Sequence, residues 1–332
     1  MILAGDVGGT KCNLALFEKE AKQLVPIFRR HFSSREAASF DEILDSFLDQ
    51  AHDALGQSGR FKVEAAGFGV AGPIIGHSVK VTNLSWGLDA ELVAGRLGTR
   101  HVILLNDLEA TGYAMAALAA QDMCTLNAGV ATPHATQAVI AAGTGLGEAI
   151  LIWNGSRYVV VPTEGGHSDF APRTEREIEL LRFMKKTEKY VSWELILAGR
   201  GFLTLHEFLD PSVRHASFDD HGADPAPEIT ENGLNGSCPV CVEVLNLFTT
   251  LYGAEAGNLA LKCLALGGVY VAGGIAPKIL PKMQSGDFMQ AFCEKERFQS
   301  LLAQVPVHLV LNEEAPLIGA AAEAIRSLAL GI

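Results

Sequence analysis

The chain has 332 residues, 48% hydrophobic and 19% charged, with a formal net charge of −12. That length and balance describe a folded protein of about two domains and exclude an intrinsically disordered one. The acidic surplus argues against general attraction to nucleic acid or anionic membranes.

In chain order, residues 2–5 read as a buried strand that runs into Asp6-Val7-Gly8-Gly9-Thr10, and residues 13–17 read as the next strand. Phe40–Leu55 has helical spacing, with Phe40, Ile43, Leu44, Phe47, Leu48 and Leu55 on one side. Residues 63–70 and 101–105 read as buried strands, and 107–120 as a helix after the second of them. The opening unit then recurs. Residues 138–142 read as a strand, Gly143-Thr144-Gly145-Leu146-Gly147 as a glycine turn, and 148–153 as a strand continuing through 158–161. Helices are expected at 174–186, 192–197 and 239–266. Gly268–Ala272 reads as a strand meeting Gly273-Gly274, followed by a strand at 305–311 and a helix at 316–330. Residues 210–236, rich in Pro, Asp, Gly and Asn, read as an irregular excursion or short capping element. Alternating elements of this kind imply α/β layers with ligands at the carboxyl ends of strands.

The chemistry concentrates in the glycine turns. Glycine lets backbone N–H groups converge on one point, and convergent N–H groups bind phosphate oxygens. Two strand–glycine–strand units facing each other would grip a polyphosphate from both sides, and that pairing points to phosphoryl transfer. Asp6, at the end of a buried strand, suits a hydrated Mg²⁺ beside phosphates. Ala272-Gly273-Gly274-Ile275 offers a third turn where a purine can lie against bare backbone, although a plain strand-to-helix turn fits equally. Asp107, where strand gives way to helix, suits either a helix cap or a general base for a sugar hydroxyl. Glu164-Gly165-Gly166-His167 holds an acid and an imidazole close enough to bind neighbouring hydroxyls of a small polyol. Glu194 reads either as a further ligand or as a first-turn acid of its helix.

Other motifs are missing or isolated. There is no Walker loop, no Gly-x-Gly-x-x-Gly that opens a dinucleotide fold, and no nucleophile elbow. Cys238-Pro239-Val240-Cys241 has no second cysteine pair at zinc-ribbon spacing and reads as a chance pair at a helix start. The six cysteines are scattered, and Met1-Ile2-Leu3 leads straight into the first turn without a secretory signal. Reduced thiols in a cytoplasm are therefore expected. The uncharged stretch 123–147 contains Pro133, His134, Asn127 and several glycines, which disqualify it as a membrane span.

In this order the landmarks resemble the bacterial glucokinases of the hexokinase/actin-like ATPase superfamily. The stretches that carry the resemblance are Gly5 to Thr10, Val70-Ala71-Gly72-Pro73, Thr82 to Trp86, Leu105-Asn106-Asp107, Ala142 to Gly147, Glu164 to Pro172, Val191 to Glu194, Ala272 to Ile275 and Leu317 to Ala320. The resemblance implies an α/β, two-domain actin-like ATPase (ribonuclease H-like duplicated) fold with an interdomain cleft. The small domain would be 1–117 plus 312–332 and the large one 118–311. It implies a glucokinase that moves the γ-phosphoryl group of ATP to the 6-hydroxyl of glucose, with Asp107 as general base. Asn83, Asn106, Glu164, His167 and Glu194 would contact the sugar. Asp6, Gly8, Gly9, Thr10, Gly143, Thr144 and Gly145 would hold phosphates, with Asp6 reaching Mg²⁺ through water, and Gly273 and Gly274 would border the adenosine. A homodimer is usual in the family.

The chain departs from the family pattern at Lys11, where many relatives carry Asn, and at Arg200, where they often carry Pro. The Cys-rich zinc motif of the related repressor–kinase group does not follow His167, so zinc is not expected. Competing readings are a kinase for another hexose or an N-acetylated aminosugar, a sugar-sensing regulator on the same fold, and a catalytically silent sugar-binding module. Such regulators usually carry a helix-turn-helix ahead of the first strand, here expected from Ile2, and the acidic charge argues against that reading as well.

Overall fold

The computed structural model describes residues 1–20, 23–56, 61–220 and 223–331, which leaves His221 and Gly222 of the expected excursion outside the described residues. The chain forms two compact units, one of Met1–Ala119 with residues from Asn312 onward, the other of Ala120–Leu311.

The first unit opens with three antiparallel strands, β1 (Ile2–Val7), β2 (Lys11–Glu20) and β3 (Gln23–Ser33), followed by helix α1 (Phe40–Leu55) and strand β4 (Ala65–Val70). Short strands β5 (Ile74–Ile75), β6 (Ser78–Lys80) and β7 (Gly87–Asp89) make a separate antiparallel sheet. Helix α2 (Ala90–Leu97), strand β8 (Val102–Asn106) and helix α3 (Asp107–Ala114) follow. The main sheet runs β3-β2-β1-β4-β8, with β1, β4 and β8 parallel.

Strand alternation decides which helix covers which face. Leu3 and Val7 join Phe40, Ile43, Leu44 and Phe47 of α1 in one core, while Ile2 and Ala4 turn to the opposite core. Helix α1 is pinned at its start by the Ser39 hydroxyl, which accepts from the Glu42 N–H, and is closed by Gly56 at φ 58°.

The second unit contains β9 (Met123–Asn127), β10 (Gln137–Ala142), β11 (Leu146–Trp153) and β12 (Tyr158–Thr163), then helices α4 (Glu175–Met184), α5 (Gly199–Leu209), α6 (Pro225–Leu234) and α7 (Pro239–Cys263). It closes with β13 (Gly268–Ala272), three short helices α8 (Leu280–Met283), α9 (Asp287–Cys293) and α10 (Gln299–Leu302), and β14 (Val307–Val310). Its sheet order is β12-β11-β10-β13-β14-β9. Leaving aside the edge strand β9, this repeats the first sheet: a three-strand antiparallel meander whose first strand continues into two parallel ones. Helix α7 is buried along most of its length because it lies in the middle of this unit's core.

Helix α11 (Ala315–Leu330) returns to the first unit, where Leu317, Ala320, Ala321 and Ala324 cover β1 and β4. Small residues let it come close. A Cβ on Gly319 would stand 1.8 Å from the Ala110 carbonyl oxygen of α3, so only glycine fits there.

Three sequence expectations change in the structure. Residues 192–197 form successive tight turns in place of a helix, with the N–H groups of Ile196 and Leu197 both donating to the Trp193 carbonyl. The helix at 107 ends at Ala114 instead of 120. The excursion at 210–236 carries a regular helix, α6, started by Pro225 behind the Asp224 cap. Among the described residues, no helix is long and apolar enough to cross a membrane.

Candidate active site

In the first unit the strand–turn–strand geometry places Asp6 directly across from Asn13. Asn13 Nδ2 donates to Asp6 Oδ2 at 3.1 Å, and His31 Nδ1 lies 2.5 Å from Asn13 Oδ1, so β2 and β3 together orient the carboxylate. The Gly8 N–H donates to the Lys11 carbonyl at 2.9 Å and closes the turn, leaving Thr10 and Lys11 exposed. Burial pushes the Asp6 carboxyl up to about 6; the Asn13 hydrogen bond opposes this and the nearby Asp107 charge adds to it.

That nearness brings two sequence-selected acids together. Asp107 is the first residue of α3, and its Oδ1 accepts from the Leu108 N–H at 2.8 Å. The capping role falls instead to Asn106, whose Oδ1 accepts from the same N–H at 3.0 Å. Asn106 is thus committed to the helix start, and Asp107 stands directly after it, at the point where β8 gives way to α3. Asn83 is exposed in the left-handed region at φ 64°, in the turn whose Thr82 N–H donates to the Ala71 carbonyl.

The Asp6 environment has a measurable consequence. Its folded value of about 6 lies above the 3.8 of an ordinary aspartate, so the folded chain binds its proton more tightly than the unfolded chain does. Stability is therefore fully present below about pH 4 and falls as pH rises toward 6, by on the order of 3 kcal/mol in all. Asp6→Asn is expected to remove this slope and to be more stable than the parent at pH 7 while losing activity. Thermal unfolding of both proteins at pH 4.5 and pH 7 checks it, and an equally steep loss in the variant would refute the assignment.

In the second unit, β10 and β13 end side by side, and both glycine turns leave from there. The Gly143 N–H donates to the Gly145 carbonyl at 2.8 Å, and the Gly143 carbonyl accepts from the Gly199 N–H at the start of α5 at 2.9 Å. Thr144 is exposed at the tip. Gly273 has φ 85°, and a Cβ there would meet the Ala142 carbonyl oxygen at 2.3 Å; Gly273 and Gly274 are both exposed. The buried Tyr252 hydroxyl ties the two turns together. It accepts from the Ala142 N–H at 3.1 Å and lies 3.3 Å from the carbonyls of both Ile140 and Ala272. Tyr252→Phe is expected to cost about 1–3 kcal/mol by orphaning the Ala142 N–H. Urea unfolding measures the loss, and an unchanged midpoint would show that the hydroxyl does not hold the turns.

Glu164, Gly165 and Gly166 follow β12 in a short turn that leaves Glu164 and His167 exposed. Gly165 lies against Glu148, a buried acid whose carboxyl is pushed up by desolvation and by the neighbouring Glu255. The Tyr190 hydroxyl donates to the His167 carbonyl at 2.7 Å. Glu194 is the hub of this unit. Its backbone N–H donates to the Gly166 carbonyl at 2.8 Å. Its Oε2 accepts from the Leu146 N–H at 3.1 Å and lies 3.9 Å from His167 Nε2, while Oε1 accepts from Arg200 at 3.2 Å. The glycine turn and the sugar motif of this unit therefore meet on one carboxylate. Arg200, unexplained on sequence, is its partner.

Sequence reasoning did not single out Tyr252, His206 or His215. A buried tyrosine in an apolar helix gives no linear signal of a polar task.

Two sheets of one topology, each with a glycine turn after its first strand, define the duplicated actin-like ATPase fold. The family model described as Glucokinase matches residues 3–327. A protein named glucokinase from Nostoc sp. is 40% identical over 97% of this chain and 98% of its own, and one from Synechocystis sp. is 39% identical over 98% of each. Among solved structures, a glucokinase from an Antarctic psychrotroph superposes with a TM-score of 0.83 at 30% identity, covering 98% of this chain and 99% of that one. At 21% identity, where likeness speaks for the fold alone, a ROK family glucokinase from Streptomyces griseus in complex with glucose and AMPPNP gives a TM-score of 0.64, covering 98% and 99%. The chain belongs to the glucokinase family.

Proposed function

We propose that this chain transfers the γ-phosphoryl group of ATP to the 6-hydroxyl of glucose, giving glucose 6-phosphate and ADP. The observation that carries the proposal is the Asp107 carboxylate, set at a strand end beside Asp6 and the first glycine turn. Asp107 takes the hydroxyl proton as the oxygen attacks phosphorus in line, and most of the acceleration comes from positioning and charge stabilisation. Gly9, Thr10, Thr144 and Gly145 present N–H groups and hydroxyls to the phosphates, in turns that the Gly8 and Gly143 N–H groups close on backbone carbonyls, and Gly273 and Gly274 give the adenosine a surface without side chains.

The donor set at Asp6 fits a hydrated Mg²⁺. It offers one carboxylate, ionised at neutral pH, whose Oδ2 is bonded by Asn13 and whose Oδ1 remains for a bound water. Such an ion would neutralise phosphate charge when bound.

Asn83, Asn106, Glu164, His167 and Glu194 select the sugar through its remaining hydroxyls. A substrate that leaves one of these groups unpaired loses about 1–3 kcal/mol. A coupled assay of ADP release with Mg·ATP and a panel of glucose, mannose, fructose and N-acetylmannosamine is expected to give the highest kcat/KM with glucose. A preference for the N-acetylated sugar would overturn the substrate assignment.

A further inference from the structure

Far along α5 from the glycine turn, the second unit gathers four side chains that the phosphoryl-transfer reading leaves unused. Cys238 caps α7 and Cys241 lies in its first turn, and both are buried. The Cys241 N–H points at Cys238 Sγ at 3.5 Å. His206, in the last turn of α5, is 0% exposed, and among the described residues neither of its ring nitrogens has a hydrogen-bond partner. His215, in the segment between α5 and α6, brings Nε2 to 3.2 Å from Cys241 Sγ. One ligand atom from each of the four lies within 4.8 Å of all the others.

We propose that His206, His215, Cys238 and Cys241 bind one zinc ion. A buried imidazole without partners is costly, since polar groups taken from water are normally hydrogen-bonded or coordinated. A metal at the centre of the cluster satisfies it. Two sulfurs and two nitrogens form a closed tetrahedral set for zinc, with bonds of about 2.3 Å to sulfur and 2.0–2.1 Å to nitrogen. Thiolate ligands also select against Mg²⁺, which prefers oxygen donors.

The surrounding groups suit the assignment. Asn232 Nδ2 lies 3.4 Å from His215 Nδ1, while Asn232 Oδ1 accepts from the Ser237 hydroxyl at 2.8 Å. With the Asn232 amide turned over so that its oxygen faces the ring, it accepts from Nδ1–H and fixes the tautomer that leaves Nε2 for the ion. The Phe218 ring packs edge-on against both imidazoles, with centroids 4.9 Å and 5.2 Å away, and shields the centre from water. With all four positions filled by protein, the ion has no open site for substrate, so its task is structural. It fastens the segment that carries His215 to α5 and α7. Since the start of α5 bonds the Gly143 carbonyl, it also steadies the helix that supports the second glycine turn.

The test uses the full-length, reduced protein. Metal analysis after purification from zinc-supplemented cells is expected to give about one zinc per chain. Replacing that zinc with Co²⁺ is expected to produce the intense visible bands of a tetrahedral thiolate site. The Cys238→Ser/Cys241→Ser double variant and His206→Gln are each expected to lose the ion and the bands. Because these variants can fail to fold, the parent protein provides a second readout. Cys238 and Cys241 are expected to resist alkylation when zinc-loaded and to react after chelation, as identified by peptide mass. Three results would overturn the proposal: a reduced parent protein that takes up neither zinc nor Co²⁺, zinc that persists in the double cysteine variant, or alkylation of the two thiols that is indifferent to chelation.

Discussion

Asp107→Asn is expected to lower kcat by about 10²–10⁴-fold, the usual contribution of a general base, while the KM for glucose stays within a few-fold of the parent. The substitution is nearly isosteric and keeps an oxygen to accept from the Leu108 N–H, and Asn106 continues to cap α3. The fold and the helix start therefore survive, and only the capacity to take a proton is lost. A second consequence separates this from mere misplacement. The Asp107 charge is one of the causes that raise Asp6, so its removal lets Asp6 titrate below its present value of about 6. Steady-state kinetics and a pH titration of Asp6 by NMR check both effects. Near-native turnover in the variant would remove Asp107 from the chemistry.

The second large effect is expected at Glu194. Glu194→Ala strips the Leu146 N–H and Arg200 of their acceptor and empties the space beside His167. Loss of a hydrogen bond to a charged group costs about 1.5–3 kcal/mol, or roughly 10–150-fold in kcat/KM. The KM values for glucose and for ATP are both expected to rise, because one carboxylate touches the sugar motif and the second glycine turn. Arg200→Ala is expected to matter far less, since Arg200 is exposed and exposed ion pairs contribute less than about 1 kcal/mol. If Glu194→Ala raised the KM for glucose and left that for ATP unchanged, the shared support of the two motifs would be disproved.

The parts of this molecule legible in sequence are those specified by local rules. The glycine turns stand out because only glycine tolerates Gly273's φ of 85° and its close approach to the Ala142 backbone. Phe40–Leu55 is legible because its apolar spacing, Ser39 and Gly56 all agree. Strand β3 was missed because Pro26, Arg29 and Arg30 interrupt its alternation, which an edge strand tolerates. Residues 192–197 mislead for the opposite reason. Trp193, Ile196 and Leu197 are buried at helical spacing, yet the chain makes tight turns that carry Glu194 to the Gly166 backbone. Cys238 and Cys241 read as an isolated pair because the imidazoles beside them come from α5 and the segment after it. Spacing along the chain carries no record of that meeting.

The placement of α11 bears on how the protein is made. The strands synthesised first, β1 and β4, stay uncovered on one face until Leu317, Ala320, Ala321 and Ala324 have left the ribosome, whereas every element of the second unit is contiguous and available earlier. The middle of the polypeptide therefore has everything it needs to fold before the beginning does. A nascent chain stalled short of residue 315 carries Asp6 on a sheet whose apolar side lacks the cover of α11, open to chaperones and to aggregation.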